Sequence, residues 1–377
     1  MPDDPVPADA RATGQVILRV DLDALAENWR RLAARAQRGA KGAECGAVVK
    51  AGAYGLGLAP VARALLEQGC ASFFVAHPGE GQELRAIAPQ ARIFILNGLP
   101  PDACPLFAAS RLIPVLGSLP EVAEWAGFCR AQGARLPAAI HIDTGMNRLG
   151  LPAADLFSAR TLMADFEPAL AMSHFISAED RSSSRSRRQI ELFEQARGKL
   201  PPMPASLCNS SGMFLDEPPF LDLCRPGYAL YGGNPIPGFE NPMRRVVELY
   251  AEILQIRDVE AGETAGYNAR WTAPSRRRLA TLNLGYADGF LRSGAEARPG
   301  VQAFAGGKFC PVVGRISMDL SIIDISDASP LRRGDRVEIL GPHISVDELA
   351  TRSGTIGYEI LTRLGPRFRR EYVSNGQ

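Results

Sequence analysis

Eight short apolar runs, at 45–51, 73–76, 93–96, 112–116, 138–142, 169–173, 204–208 and 221–224, recur through the chain as far as residue 224. Most are separated by stretches of helical length and spacing, among them 58–68, 119–132, 153–164 and 187–200. A strand that is apolar on both faces needs cover on both faces, and alternation with helices supplies it in a parallel sheet. Eight such units predict an α/β architecture, a closed (β/α)8 barrel of the TIM type, with a doubly wound open sheet as the alternative.

The pattern changes near 234–241, where Gly and Pro accumulate. Beyond that point 246–259, 278–284, 301–305, 309–313, 320–325 and 336–340 read as strands, and only 346–352 and 357–364 read as helices. The chain therefore divides into a loose tail at 1–14, a barrel at 15–240, and a mainly β C-terminal domain at 241–377. The strand at 15–20 is able to join the β domain instead of the barrel. Asp23 reads as the cap of a helix carrying Leu25, Trp29 and Leu32.

Net charge is formally +1 over 377 residues, so no strong field recruits nucleic acid or an anionic membrane. The basic run at 181–188 reads as a solvated helix start. Seven cysteines are scattered, odd in number and free of any C-x-x-C pair, and read as small core residues rather than disulfides or a metal cluster. No signal peptide or membrane-spanning run is evident, which fits a cytoplasmic location and leaves the sequon at Asn209-Ser210-Ser211 unglycosylated.

Barrel chemistry sits where strands end, and polar residues fall at those ends: Lys50, Asp143 with Arg148, His174, Asn209 with Ser210, and Arg225. An isolated lysine at a strand end is ordinarily a solvated terminus. Desolvated, it becomes an amine nucleophile. Four dispersed histidines without H-E-x-x-H give no metal centre, and neither a dinucleotide fingerprint nor a P-loop occurs. The loops at 209–212 and 225–228 offer a hydroxyl and a close-approach glycine where barrels commonly hold a phosphate. A Schiff-base lysine with a phosphate cradle points to pyridoxal 5'-phosphate.

The motifs Ala47-Val48-Val49-Lys50-Ala51 with Tyr54-Gly55, Asp143-Thr144-Gly145-Met146-Asn147-Arg148, Ser173-His174-Phe175, Asn209-Ser210, Arg225-Pro226-Gly227-Tyr228, Gly285-Tyr286-Ala287-Asp288-Gly289, Gly314-Arg315-Ile316-Ser317-Met318-Asp319 and Tyr358-Glu359-Ile360 stand in order along the chain. In this the sequence resembles the bacterial alanine racemases, from about residue 16 to 372. The resemblance implies that Lys50 binds the cofactor and acts as one base. It implies that Tyr267 is the second base, serving the barrel of a partner subunit in a homodimer. His174 would lie near cofactor and tyrosine, and Arg225 would meet the pyridine nitrogen. Tyr54, Asn209, Ser210, Gly227, Tyr228 and Tyr358 would hold the cofactor, chiefly at its phosphate. Arg148 and the Met318 backbone would meet the substrate carboxylate, and Tyr286, Arg315, Glu179 and Ile356 would line the entrance. No metal is implied.

Gly52 and Leu56 replace an acid and a histidine frequent in relatives, and Asn268 stands where glycine is frequent. His141 occupies the position of a lysine that many relatives carbamylate to brace the counterpart of Arg148. An unmodified His141 is expected, with another anion, a water network or nothing bracing Arg148. The implied activity is interconversion of L- and D-alanine, for biosynthesis or degradation. The alternatives are a broad-specificity or serine racemase and a non-catalytic pyridoxal-phosphate-binding protein, which normally lacks the β domain.

Overall fold

The computed structural model describes residues 16–39, 41–297 and 299–374, and the predicted tail at 1–14 lies outside them. The described residues form two compact units: a barrel unit within 25–53 and 57–244, and a β unit within 16–24, 54–56 and 245–374. The first strand, β1 (Ile17–Asp21), belongs to the β unit.

The barrel's first strand is broken at Gly46 into β2 (Glu44–Cys45) and β3 (Ala47–Val48). A Cβ at Gly46 would come within 2.9 Å of the Ser72 carbonyl oxygen, so only glycine fits the break. Then follow β4 (Ser72–Val75), β5 (Arg92–Ile95), β6 (Ile113–Leu116), β7 (Pro137–His141), β8 (Glu167–Met172), β9 (Ala205–Ser206) and β10 (Leu223–Cys224). β3 to β9 form one parallel sheet in sequence order, and β10 pairs in parallel with β2. The ring closes because Asp222 and Arg225 donate backbone N–H bonds to Ala205 and Cys208, while Glu44, Gly46 and Val48 donate to Asp222, Cys224 and Pro226. The eight expected strands are present and closed, and the open-sheet alternative falls.

β4 and β6 are buried along their whole length. Phe74 and Phe94 stack across β4 and β5 at 4.7 Å between ring centres, and each fully buried phenylalanine contributes about 2–3 kcal/mol. Helix Leu58–Glu67 buries Leu58, Val61, Ala62 and Leu65, a single helical face. Helix Leu119–Gln132 starts at Ser118, whose hydroxyl accepts from Glu121 N, and stops at Gly133 with φ 63°. All seven cysteines are buried and free.

In the β unit, β11 (Val247–Val259) is the spine. Val247, Leu249, Ala251 and Ile253 are buried and alternate with half-buried residues. β12 (Thr264–Ala265) and β13 (Trp271–Thr272) form a two-rung antiparallel ribbon. β14 (Arg277–Leu282), β15 (Gln302–Ala305), β16 (Lys308–Pro311), β17 (Ser321–Asp324), β18 (Arg336–Leu340) and β19 (Arg369–Val373) complete the unit. β11 pairs antiparallel with β1, β14 and β18, and β1 lies parallel to β19. β19 escaped sequence reading because its charged, half-exposed residues break the apolar pattern. The helix after β1 starts at Leu22, capped by the Asp21 carboxylate, which accepts from Ala24 N at 2.7 Å. Asp23 therefore falls in the first turn rather than at the cap.

Candidate active site

The apolar run expected to continue to Ala51 ends as a strand at Val48, and the chain then curls the wrong way. Ala51, Gly52 and Ala53 have φ/ψ of 53°/47°, 61°/42° and 57°/54°, and Tyr54 follows with φ 56°. This is a left-handed helical turn directly after Lys50, and each non-glycine residue in it costs about 1–2 kcal/mol. Two backbone bonds stitch it, Ala53 N to Val49 O at 2.9 Å and Gly57 N to Gly52 O at 2.8 Å. A carboxylate from the next strand's helix also holds it: Glu80 Oε1 accepts from Ala51 N at 2.5 Å and Gly52 N at 3.4 Å.

Lys50 keeps open surface at the barrel mouth, yet its amine is lowered from the usual lysine range. Desolvation is the main cause and Arg148 adds to it, while Glu80 opposes both. At the end of β8, His174 is pushed down to about 3 by burial and then by Arg225, Arg148 and Lys50. His141, on β7, is pushed down to about 4 by burial and the Arg225 charge. Both imidazoles are neutral at neutral pH.

Arg225 is 3% exposed and follows β10. It donates through Nη2 to the Ser173 carbonyl at 2.6 Å and through Nη1 to the Ser206 hydroxyl, and its guanidinium stands over the Phe74 ring. Burial lowers it to about 10, which leaves it charged at neutral pH. Ser210, 3% exposed, accepts from Gly227 N at 3.0 Å and Ala229 N at 3.2 Å. With both lone pairs so occupied, its hydroxyl proton is what remains to offer, as an anion requires. Gly227 thus spends its N–H on orienting Ser210, and Tyr228 opens the short 3-10 turn Tyr228–Tyr231 beside it. Asn209 has a local task, accepting from Gly212 N at 2.8 Å.

Asp143 Oδ1 accepts from Gly145, Met146 and Asn147 N, which shapes the loop that carries Arg148. Among the described residues the Arg148 side chain makes no hydrogen bond or ion pair, and His141 does not reach it as a partner. Glu179 is exposed on the loop after β8. Glu80 and Gln189 went unnoticed in the sequence. Gln189 is 2% exposed and ties three groups together, donating to Thr144 Oγ1 and the His174 carbonyl, each at 2.9 Å, and accepting from Ile176 N. Glu80 was detectable as the third residue of a helix opened by Pro78, the place of a capping carboxylate.

In the β unit, Tyr267 sits at the tip of the β12–β13 ribbon and is 66% exposed. Gly266, Asn268 and Ala269 around it have φ of 73°, 62° and 46°. Asn268 therefore fills a left-handed position that glycine or asparagine tolerates best. Val259, Ala265, Ala273, Leu279 and Val313 form a small core with the ribbon's Trp271 packed against it. Tyr54 and Tyr358 belong to this unit, their rings 6.0 Å apart, and burial with the neighbouring Tyr358 raises the Tyr54 phenol. Tyr286 N donates to Ser317 O, and Ala287 N donates to Met318 O. The turn is fixed by buried Asp288, which accepts from Gly285 N and pairs with Arg367 at 2.7 Å. Arg315 pairs with Glu296 at 3.1 Å without hydrogen-bond alignment, and Ile356 is exposed at the start of the helix carrying Tyr358.

A separate barrel-unit cavity of about 310 Å³, lined by Phe107, Trp125 and Arg111 among others, lies at the opposite strand ends and holds none of these residues.

A closed parallel barrel with a desolvated lysine, an anion-ready hydroxyl and a buried guanidinium at one rim has the build of a barrel enzyme. The family description "Alanine racemase, N-terminal domain" matches residues 20–235, and "Alanine racemase, C-terminal domain" matches 246–372. An alanine racemase of Methylobacterium nodulans is 54% identical over 94% of this chain and 95% of its own. One from Rhodospirillum rubrum is 45% identical over 96% of each. The crystal structure of alanine racemase from Bartonella henselae with covalently bound pyridoxal phosphate is 37% identical, with a TM-score of 0.90 over 95% of this chain and 99% of that one. The chain belongs to the alanine racemase family.

Proposed function

We propose that this chain interconverts L-alanine and D-alanine with pyridoxal 5'-phosphate held on Lys50. The observation that carries the reading is the set of groups on the barrel rim: an amine of lowered basicity, a Ser210 hydroxyl with only its proton to give, and a buried guanidinium that stays charged. These donors fit an aldehyde, a phosphate and a pyridine nitrogen respectively. When bound, the cofactor draws electrons from the amino acid and makes its Cα–H bond acidic.

Racemisation removes a proton from one face of a planar carbon and returns one to the other face, so it needs two bases. Lys50 Nζ serves one face and the Tyr267 hydroxyl the other. The Arg225 guanidinium keeps its proton, so it would give none to a pyridine nitrogen held against it, which would disfavour reactions that need a long-lived carbanion. Neutral His174 leaves no extra positive charge near the amine. Arg148, with no protein partner among the described residues, is available to a substrate carboxylate, and such a charge-assisted pair orients the amino acid. Tyr54, Tyr228 and Tyr358 complete the grip on the cofactor, Met318 assists at the carboxylate, and Tyr286, Arg315, Glu179 and Ile356 select small substrates at the entrance.

Tyr267 lies exposed at a ribbon tip, which suits a group that works in the barrel of a second copy, so the active unit is a homodimer. A cytoplasmic enzyme without nucleic-acid or membrane partners is in keeping with the near-neutral charge, and no helix among the described residues is long and apolar enough to cross a membrane. A coupled assay of alanine racemisation tests the reading. Lys50→Ala abolishes both activity and the visible absorbance of lysine-bound cofactor, whereas Tyr267→Phe keeps the absorbance and loses racemisation. Full activity in either variant overturns the two-base assignment.

A further inference from the structure

Two glutamates in the barrel unit occupy equivalent places, and only one of them touches the lysine's turn. Glu121 is the third residue after the Ser118 cap. It accepts from Gly117 N at its own strand's end and from Leu99 N on the preceding strand's loop, each at 2.9 Å. Glu80 repeats this grip one pair of strands earlier. Its Oε2 accepts from Ala76 N at 2.9 Å and His77 N at 3.2 Å, at the end of β4. Its Oε1 reaches the preceding strand's loop at Ala51 and Gly52.

The loop held by Glu121 is left-handed only at two separated residues, Gly98 at φ 81° and Asp102 at φ 61°, and forms no consecutive left-handed run. The loop held by Glu80 is the left-handed turn, a conformation that alanine resists. Hydrogen bonds from backbone N–H to a carboxylate are charge-assisted and stronger than neutral ones. Glu80 is thus the side chain that opposes unwinding of the backbone on which the Lys50 amine is mounted.

We propose that Glu80 is a positioning residue for Lys50, clamping the left-handed turn so that the amine is held in place for the cofactor. The inference rests on the proposed function for its chemistry. Capture of the cofactor joins the amine nitrogen to the aldehyde carbon as C=N, and the carbonyl oxygen leaves as water with the amine's two protons. That step needs the amine uncharged and fixed in direction, and the clamp supplies the direction. Glu121, which has no lysine to serve, is the internal control.

The test compares wild-type holoenzyme with Glu80→Gln, Glu80→Asp and Glu121→Gln. Amide hydrogen exchange over 49–57 reads the clamp itself. The induced circular dichroism of the lysine-bound cofactor, and its rate of displacement by methoxyamine, read the amine. Glu80→Gln speeds exchange at Ala51 and Gly52 about tenfold, speeds displacement by a similar factor and alters the dichroism. Glu80→Asp keeps the charge but draws the carboxylate back by one methylene, so it frees Ala51 and Gly52 while still capping Ala76 and His77. Glu121→Gln lowers the melting temperature and leaves exchange at 49–57, displacement and dichroism unchanged. If Glu80→Gln and Glu121→Gln behave alike in these readouts, Glu80 is only a helix cap and the proposal is wrong. Should the wild type carry no cofactor on Lys50, the functional reading fails instead, and exchange at Ala51 and Gly52 still decides the clamp.

Discussion

Lys50 and Tyr267 both stand beside left-handed backbone, but the two stretches are held in opposite ways. The turn after Lys50 starts from a closed ring of strands and is gripped by a carboxylate from the neighbouring strand's helix. The turn around Tyr267 hangs from two ribbon rungs and leaves that residue 66% exposed. The barrel side is arranged within its own chain, where strain is balanced by local bonds. The ribbon side presents its residue outward, for a surface that a second copy supplies in the proposed homodimer.

The sharpest way to break this contrast is to mix two dead proteins. Lys50→Ala and Tyr267→Phe chains, each inactive, are unfolded and refolded together. If every site takes Lys50 from one chain and Tyr267 of the partner subunit, half the dimers are mixed and half of their sites are intact. Activity then returns to about a quarter of wild type. No recovery, with mixed dimers shown to form, places both residues in one chain.

Acid should act on the barrel side. His141 titrates at about 4 when folded and near 6.5 when unfolded, so between those values the unfolded chain binds more protons and stability falls as pH drops. Its share of the loss is about 3 kcal/mol by pH 4. Denaturant unfolding of His141→Asn at pH 7 and pH 4.5 measures it, and the variant should show the shallower fall. An equal fall in both proteins removes His141 from the account.

Smaller effects separate the two turns. Gly52→Ala places a methyl group in open space but at φ 61°, so it should destabilise by about 1 kcal/mol through the backbone alone. Asn268→Ala carries a similar backbone penalty at φ 62°, whereas Asn268→Gly should change stability by only a few tenths of a kcal/mol. Urea midpoints distinguish these cases. A Gly52→Ala protein as stable as wild type means that the turn near Lys50 has no strain to balance.

The barrel was legible because each strand is buried on both faces, so its residues are apolar without interruption and its helices keep a clean period. The positions of Lys50, His174, Ser210 and Arg225 beyond strand ends were legible because the apolar runs mark where the strands stop. The left-handed turn was not, since Ala51, Ala53 and Tyr54 carry no local preference for it. The conformation is held by two backbone bonds and by hydrogen bonds to Glu80, a residue distant in sequence. Asp21 took the capping role expected of Asp23 because β1 runs straight into its helix, a boundary that helical spacing alone leaves free by a residue or two.

The break at Gly46 has a further bearing on how the protein comes to be made. The few residues of β2 and β3 are the seam of the ring, since β2 is bonded to β10 and β3 to β4. β4 leaves the ribosome soon after β3, but Leu223 and Cys224 arrive only after the rest of the barrel. Until then the strand that carries Lys50 has one bare edge, and β1 waits longer still for β11 and β19. Pairings that span so much of the chain form late and slowly. From the end of β4 to the start of β10 the nascent protein therefore keeps the strand leading to Lys50 half-paired, and a truncated chain ending before β10 would offer that edge to aggregation.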